Sequence, residues 1–184
     1  ALPIDAPAIS HLGRTTFTHT FGYSLPPSDL ETYLTTSYSV PVIASELDNR
    51  DMRYIVACDS SSISAGEEPI EEQEGEEQGE GGKGEGGGRP IIEGNGKVLG
   101  FAQLTKGSYE PCIHDENVKD KWPNPVELQR FYVGVGFSGQ GIGKLLCKEI
   151  ERMAREMGMR SLWLGVWYDF FSFSSFHDIF FSLL

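Results

Sequence analysis

The residues with the clearest chemical content lie between Gly134 and Lys144. Five glycines, Gly134, Gly136, Gly139, Gly141 and Gly143, fall within ten positions. Before them stands a strand-like run, Val126 to Val133, and after them a strongly periodic helix. A strand feeding a glycine turn and a helix presents unpaired backbone N–H groups at one point. The helix N-terminus adds its own partial positive charge there, so the point attracts phosphate. A plain turn needing positive φ explains one glycine, but it explains five poorly. The pattern predicts phosphate binding by the N–H groups of Gly139, Gln140, Gly141, Ile142, Gly143 and Lys144. The Lys144 side chain either adds charge or points to solvent.

Two familiar phosphate loops fit badly. A nucleoside-triphosphate loop needs a glycine five residues before Gly143, where Ser138 stands, and a hydroxyl after Lys144, where Leu145 stands. A dinucleotide fingerprint matches at Gly134, Gly136 and Gly139. Its expected acidic partner would fall near Glu156, still inside the helix. A dinucleotide-binding oxidoreductase therefore stays as the weaker alternative. Other constellations carry less. His177 and Asp178 near Ser174 and Ser175 lack a strained nucleophile turn. Cys112-Ile113-His114 is half a metal site without a second half. Cys147, inside the helix, reads as a small buried hydrophobe.

The elements around the turn follow from pattern. Asp5 before Ala6-Pro7-Ala8 reads as a helix cap, with the helix ending near Arg14 or running on to Phe21. Ser28 reads as the cap of a second helix, Asp29 to Tyr38, after the rigid Leu25-Pro26-Pro27 approach. Arg53 to Cys58 reads as a strand buried on both faces, and Val98 to Leu104 as the next. Leu146, Ile150, Met153, Ala154 and Met157 share one face of the helix after the glycines. Gly158 is its C-cap candidate. Ser161 to Trp167 is another strand. Residues 126–167 thus form one strand–turn–helix–strand unit.

Length and charge bound the rest. The 184 residues suit one cored domain and are too few for two ordinary ones. The net charge of −12 is unevenly placed. Residues 66–88 carry nine Glu, nine Gly and one Lys, a local charge of −8. Such a segment buries no apolar surface and repels itself, so 60–96 reads as a disordered insert between two strands. The absence of a dense Lys/Arg stripe argues against nucleic acid as a partner. No clean apolar run reaches 18 residues, and no secretory signal opens the chain, which argues against a membrane. Three scattered cysteines read as a reducing compartment, cytoplasmic or nuclear.

The stretch Phe131-Tyr132-Val133 with Ser138-Gly139-Gln140-Gly141-Ile142-Gly143-Lys144-Leu145-Leu146 resembles the acyl-CoA-binding motif of the GNAT superfamily of N-acetyltransferases. In that family the motif is Gln or Arg, two residues, Gly, one residue, then Gly or Ala. Gly141 and Gly143 match its two small positions, and Ser138 departs from the first. Phe17 to Tyr38 looks like the substrate-side helices of members that acetylate polyamines or small amines. The resemblance covers 5–59 and 97–167 and is most specific over 126–158.

The resemblance implies an α/β fold, a mixed central sheet with helices on both faces. It implies acetyl-CoA as cosubstrate and a primary amine as acceptor, whether small amine, polyamine or peptide amine. It implies that the amides of 138–144 hold the pyrophosphate and that the Phe131, Tyr132 and Val133 backbone pairs with pantetheine. Glu127 matches the family's strand carboxylate that takes the amine proton through water. Its plainer reading is a strand-end glutamate paired with Arg130 or solvent. The family's usual C-terminal helix and strands have no recognisable counterpart after residue 167. Seven of the 17 residues from Tyr168 to Leu184 are aromatic and none is Lys or Arg. This tail is expected either to pack on the sheet edge or to promote aggregation. A catalytically impaired, truncated chain that retains CoA binding is therefore the alternative to an active enzyme.

Overall fold

The computed structural model describes residues 1–59, 96–108, 121–170 and 173–182, the last stretch and the end of the one before it, from 166 on, through the backbone alone. Apart from Gly96, the expected Glu/Gly insert lies outside the described residues, as does Cys112-Ile113-His114. Five strands form one open sheet in chain order: β1 (Met52–Cys58), β2 (Val98–Thr105), β3 (Pro125–Val133), β4 (Ser161–Phe170) and β5 (Phe173–Ser182). The β1–β2, β2–β3 and β4–β5 pairs are antiparallel and β3–β4 is parallel. The parallel step requires a crossover, which α4 (Ile142–Glu156) supplies. Three further helices, α1 (Ala6–Phe21), α2 (Pro27–Tyr38) and α3 (Val40–Asp48), precede the sheet.

Strand alternation divides the core into two layers. Ile55, Ala102, Leu104, Val126 and Leu162 pack against Ile142, Leu146, Ile150 and Ala154 of α4. Tyr54 and Phe101 face the other way, against Ala6, Ile9 and Leu12 of α1, Leu34 and Tyr38 of α2 and Ile43 of α3. The fold is thus the expected mixed sheet covered on both faces. The four-residue spacing along α4 gives it one continuous apolar stripe, each large side chain adding about 2 kcal/mol of burial. The helix closes as expected at Gly158. There φ is +75°, and the Gly158 and Met159 amides donate to Arg155 and Ala154.

Several boundaries differ from the sequence reading. Asp5 takes the N-cap position of α1 as expected but makes no side-chain capping bond; it ends a short 3₁₀ turn, and its carboxylate accepts the Leu2 N–H at 2.7 Å. Of the two ends expected for α1 the structure takes the longer, at Phe21, and Gly13 lets α2 approach its middle. A Cβ at that position would sit 2.5 Å from Tyr38 Cδ1. Ser28 lies inside α2 and donates to Asp29 at 3.2 Å rather than capping. The helix α3 has no counterpart in the sequence reading. Finally, the aromatic tail continues β4 to Phe170, and its next described stretch, Phe173–Ser182, forms β5, which pairs along the whole of β4.

A buried cation ties α2 and α3 to the sheet. Arg130 on β3 is 8% exposed, and its guanidinium pairs with Glu46 of α3 at 2.5 Å. It also donates to Tyr54 of β1 and, at 2.9 Å, to the Ser37 carbonyl near the end of α2. The Tyr38 ring lies 4.8 Å from the guanidinium carbon. Burial opposes the Arg130 charge, but Tyr54 and Glu46 more than offset it and hold its pKa above the usual arginine value. Removing one member of a buried pair leaves the other uncompensated. Arg130→Met is therefore expected to lower stability by about 3 kcal/mol in urea unfolding. A loss below about 1 kcal/mol would show that Glu46 finds solvent readily.

Candidate functional site

The site is built where two neighbouring strands separate. The β3–β4 register runs Pro125↔Ser161, Val126↔Leu162, Glu127↔Trp163, while both strands continue well beyond it. A bulge turns β3 at that point. Leu128 pairs with Leu104 of β2 and Arg130 with Gln103, so Gln129 is the extra residue. Its amide oxygen is held by Gln103 Nε2 at 3.0 Å and Thr105 Oγ1 at 2.7 Å. From Leu128 to Val133 the outer edge of β3 borders a cavity of about 400 Å³. Leu164 and Gly165 of β4 form its far side, and Thr16, Thr20 and Phe21 of α1 close it.

Phe131, Tyr132 and Val133 all line this cavity. Phe131 and Val133 also pack with the α4 core. The half-buried Tyr132 belongs to the opposite layer, with its hydroxyl 2.8 Å from that of Tyr38 and its ring 5.4 Å from Phe101. Burial pushes the phenol pKa of both tyrosines above the ordinary value. They stay neutral hydroxyls across the physiological range.

The glycine turn begins where β3 ends. Gly134 donates to the Leu99 carbonyl at 2.8 Å and accepts from Phe137 at 3.0 Å. Gly139 and Gly141 have φ of +79° and +82°, a region that costs any side-chain-bearing residue strain. Gly141 is the N-cap of α4, and the first helical bond is Leu145 N–H to the Gly141 carbonyl at 3.1 Å. The Ile142, Gly143 and Lys144 amides thus precede the first intrahelical bond, and no side chain caps them. Ser138, Gly139, Gln140 and Gly141 are exposed in front of them, and so is Lys144. Ile142 points its side chain into the core at 6% exposure and pins the helix start against β2.

Glu127 is half-buried between Thr105 on β2 and Trp163 on β4, at the last paired residue before the strands part. It adjoins the cavity through Leu128 but does not line it. The Arg130 guanidinium, one of the two partners its plainer reading offered, is turned to Glu46. Sequence reasoning missed Arg130 as a structural cation and Thr16 as a wall of the cavity. Nothing in a lone strand arginine or a helix threonine marks either one. The dinucleotide match at Gly134, Gly136 and Gly139 also loses its frame. A doubly wound unit is mostly parallel, whereas here β3 has an antiparallel neighbour in β2.

Comparison with known proteins agrees with this architecture. Residues 44–171 match the family model described as the acetyltransferase (GNAT) family. The chain belongs to that family. A curated relative, an uncharacterized N-acetyltransferase in the pepI 3′ region of Lactobacillus delbrueckii subsp. lactis, is 33% identical over 73 residues. That stretch is 40% of this chain and 38% of the relative. Among solved structures, the PaiA N-acetyltransferase of Thermoplasma acidophilum, in complex with coenzyme A, superposes with a TM-score of 0.59 at 16% identity. The match covers 92% of this chain and 77% of that one. A GCN5-related N-acetyltransferase from Rhodopseudomonas palustris gives 0.52 at 13% identity, over 90% and 69%. Among the described residues no helix is long and apolar enough to cross a membrane.

The two small positions of the turn differ in what they tolerate. Gly141→Ala places a Cβ at positive φ and is expected to cost about 1 kcal/mol of stability. Gly143→Ala keeps helical backbone and meets Phe131 and Val133 at an ordinary 3.8 Å, so it is expected to be neutral or slightly stabilising. Thermal unfolding of both variants checks this. Equal losses would mean that the turn does not hold Gly141 in the left-handed region.

Proposed function

We propose that the chain transfers an acetyl group from acetyl-CoA to a primary amine. The observation that carries this reading is the parting of β3 from β4 beside the glycine turn that opens α4. A β3 edge released from its neighbour offers N–H and C=O groups at strand spacing, which suits the amides of a pantetheine arm. The amides of the turn from Ser138 to Lys144 suit a pyrophosphate at a helix N-terminus. These two features lie in sequence along one strand, so a ligand that is anionic at one end and amide-bearing along its length fits both. Ser138 leaves the turn without the side-chain donor common in the family, so its backbone amides carry the anion.

The acceptor is a primary amine, small, polyamine or peptide-borne, approaching from the α1–α2 side of the cavity. Acyl transfer requires alignment of amine and thioester, loss of an amine proton and a donor for the carbonyl oxygen. The cavity provides alignment. Glu127 is the last paired residue before the parting, next to the cavity-lining Leu128, and serves as proton acceptor through water. Tyr132 stays neutral under the burial described above and packs beside the reacting centre. The second reading, CoA binding without turnover, is favoured if Glu127 proves irrelevant.

Two variants test the assignment. Glu127→Gln is expected to slow kcat by about a hundredfold or more, the usual range for a general base. The loss should shrink as pH rises and the acceptor deprotonates unaided, and acetyl-CoA affinity should stay unchanged. An equal rate at every pH removes Glu127 from the chemistry. Ser138→Arg adds a charge-assisted donor at the turn and is expected to tighten acetyl-CoA binding about threefold or more. Unchanged affinity would place the pyrophosphate elsewhere.

A further inference from the structure

Among the described residues, the buried hydroxyl of Thr16 on α1 has no partner. The residue is 8% exposed, and among the described residues its Oγ1 makes no hydrogen bond. A threonine inside a helix ordinarily returns its hydroxyl to a carbonyl one turn back, as Thr32 and Thr36 of α2 do at 2.8 Å. Thr16 has the same option on α1 and does not take it. A buried polar atom left unpaired is costly and rare in a native fold, so it points to a group that arrives from outside the chain.

Its position says which group. Thr16 lines the cavity between β3 and β4. It also lines a second cavity of about 500 Å³, which runs along α1 past His11 and Leu12 to Gly134, Val135 and Phe137 of the glycine turn. No other residue borders both. A ligand that occupies both cavities passes this side chain. The remaining α1 residues at the first cavity are Phe21, which has no polar side-chain atom, and the exposed Thr20.

We infer that the Thr16 hydroxyl hydrogen-bonds the amide-bearing arm of the bound thioester and positions it between the strands. This rests on the acetyl-CoA reading of the site and deepens it. It makes α1, and not only β3 and the turn, a part of the cosubstrate site. The arm's amides can accept from the hydroxyl or donate to it, since a threonine does both.

The test is titration calorimetry on the full chain with two probes, acetyl-CoA and ADP, which carries a pyrophosphate but no arm. Thr16→Val keeps the shape and removes the hydroxyl, and Thr16→Ser keeps the hydroxyl. Thr16→Val is expected to weaken acetyl-CoA about three- to tenfold, the range for one neutral hydrogen bond. ADP affinity should be unchanged, Thr16→Ser should stay within about twofold of wild type, and the melting temperature should not fall. Wild-type binding of acetyl-CoA with equal affinity for Thr16→Val overturns the role of Thr16 alone. Equal weakening of acetyl-CoA and ADP also overturns it, because the loss then lies outside the arm. Failure of the wild-type chain to bind acetyl-CoA overturns the site reading and this inference together.

Discussion

Strand β3 has to give up its partner in mid-course. After Glu127 its hydrogen-bonding edge turns from β4 to a cavity, while β4 goes on to pair with β5 to its end. Backbone N–H and C=O groups inside a protein seek partners, so an opened edge is a binding surface by default. The rest of the fold can be read as what makes that opening tolerable. The bulge at Gln129 turns the strand. The amides of Gln103 and Gln129 and the hydroxyl of Thr105 lock the bulge on its β2 side. The core of α4 closes the sheet from below, where Phe131 and Val133 pack.

The opened strand is also the one that carries Arg130. Its guanidinium reaches α3 through Glu46, α2 through the Ser37 carbonyl and β1 through Tyr54. The helical layer above the cavity is thereby tied to β3 itself rather than to the sheet in general. A buried ion pair of this kind adds little net stability against an apolar equivalent, but it fixes geometry. Here it fixes where α2 and α3 stand against β3. The Tyr38–Tyr132 hydroxyl contact and the absent side chain at Gly13 complete the same junction.

Much of this was legible in the residues, for identifiable reasons. The α4 stripe repeats every four positions over a full 15-residue helix, so its period shows without any tertiary knowledge. The glycine turn shows because positive φ at Gly139 and Gly141 restricts residue choice. Helix α3 did not show, because it is nine residues long and has Pro41 in its first turn, leaving too few positions for a period. β5 did not show as a strand, because an aromatic run without alternating charge reads equally as a tail. The site was legible in its anion-binding half and not in its walls. Arg130 and Thr16 owe their roles to what packs against them from distant parts of the chain, and no local spacing encodes that.

The central claim is that the parted strands and the glycine turn form one acetyl-CoA site. Calorimetric titration of the monodisperse 184-residue chain with acetyl-CoA, and with NAD in parallel, tests it most directly. The account predicts saturable 1:1 binding of acetyl-CoA and none of NAD. A folded chain, by circular dichroism, that ignores acetyl-CoA or binds NAD equally well would contradict it.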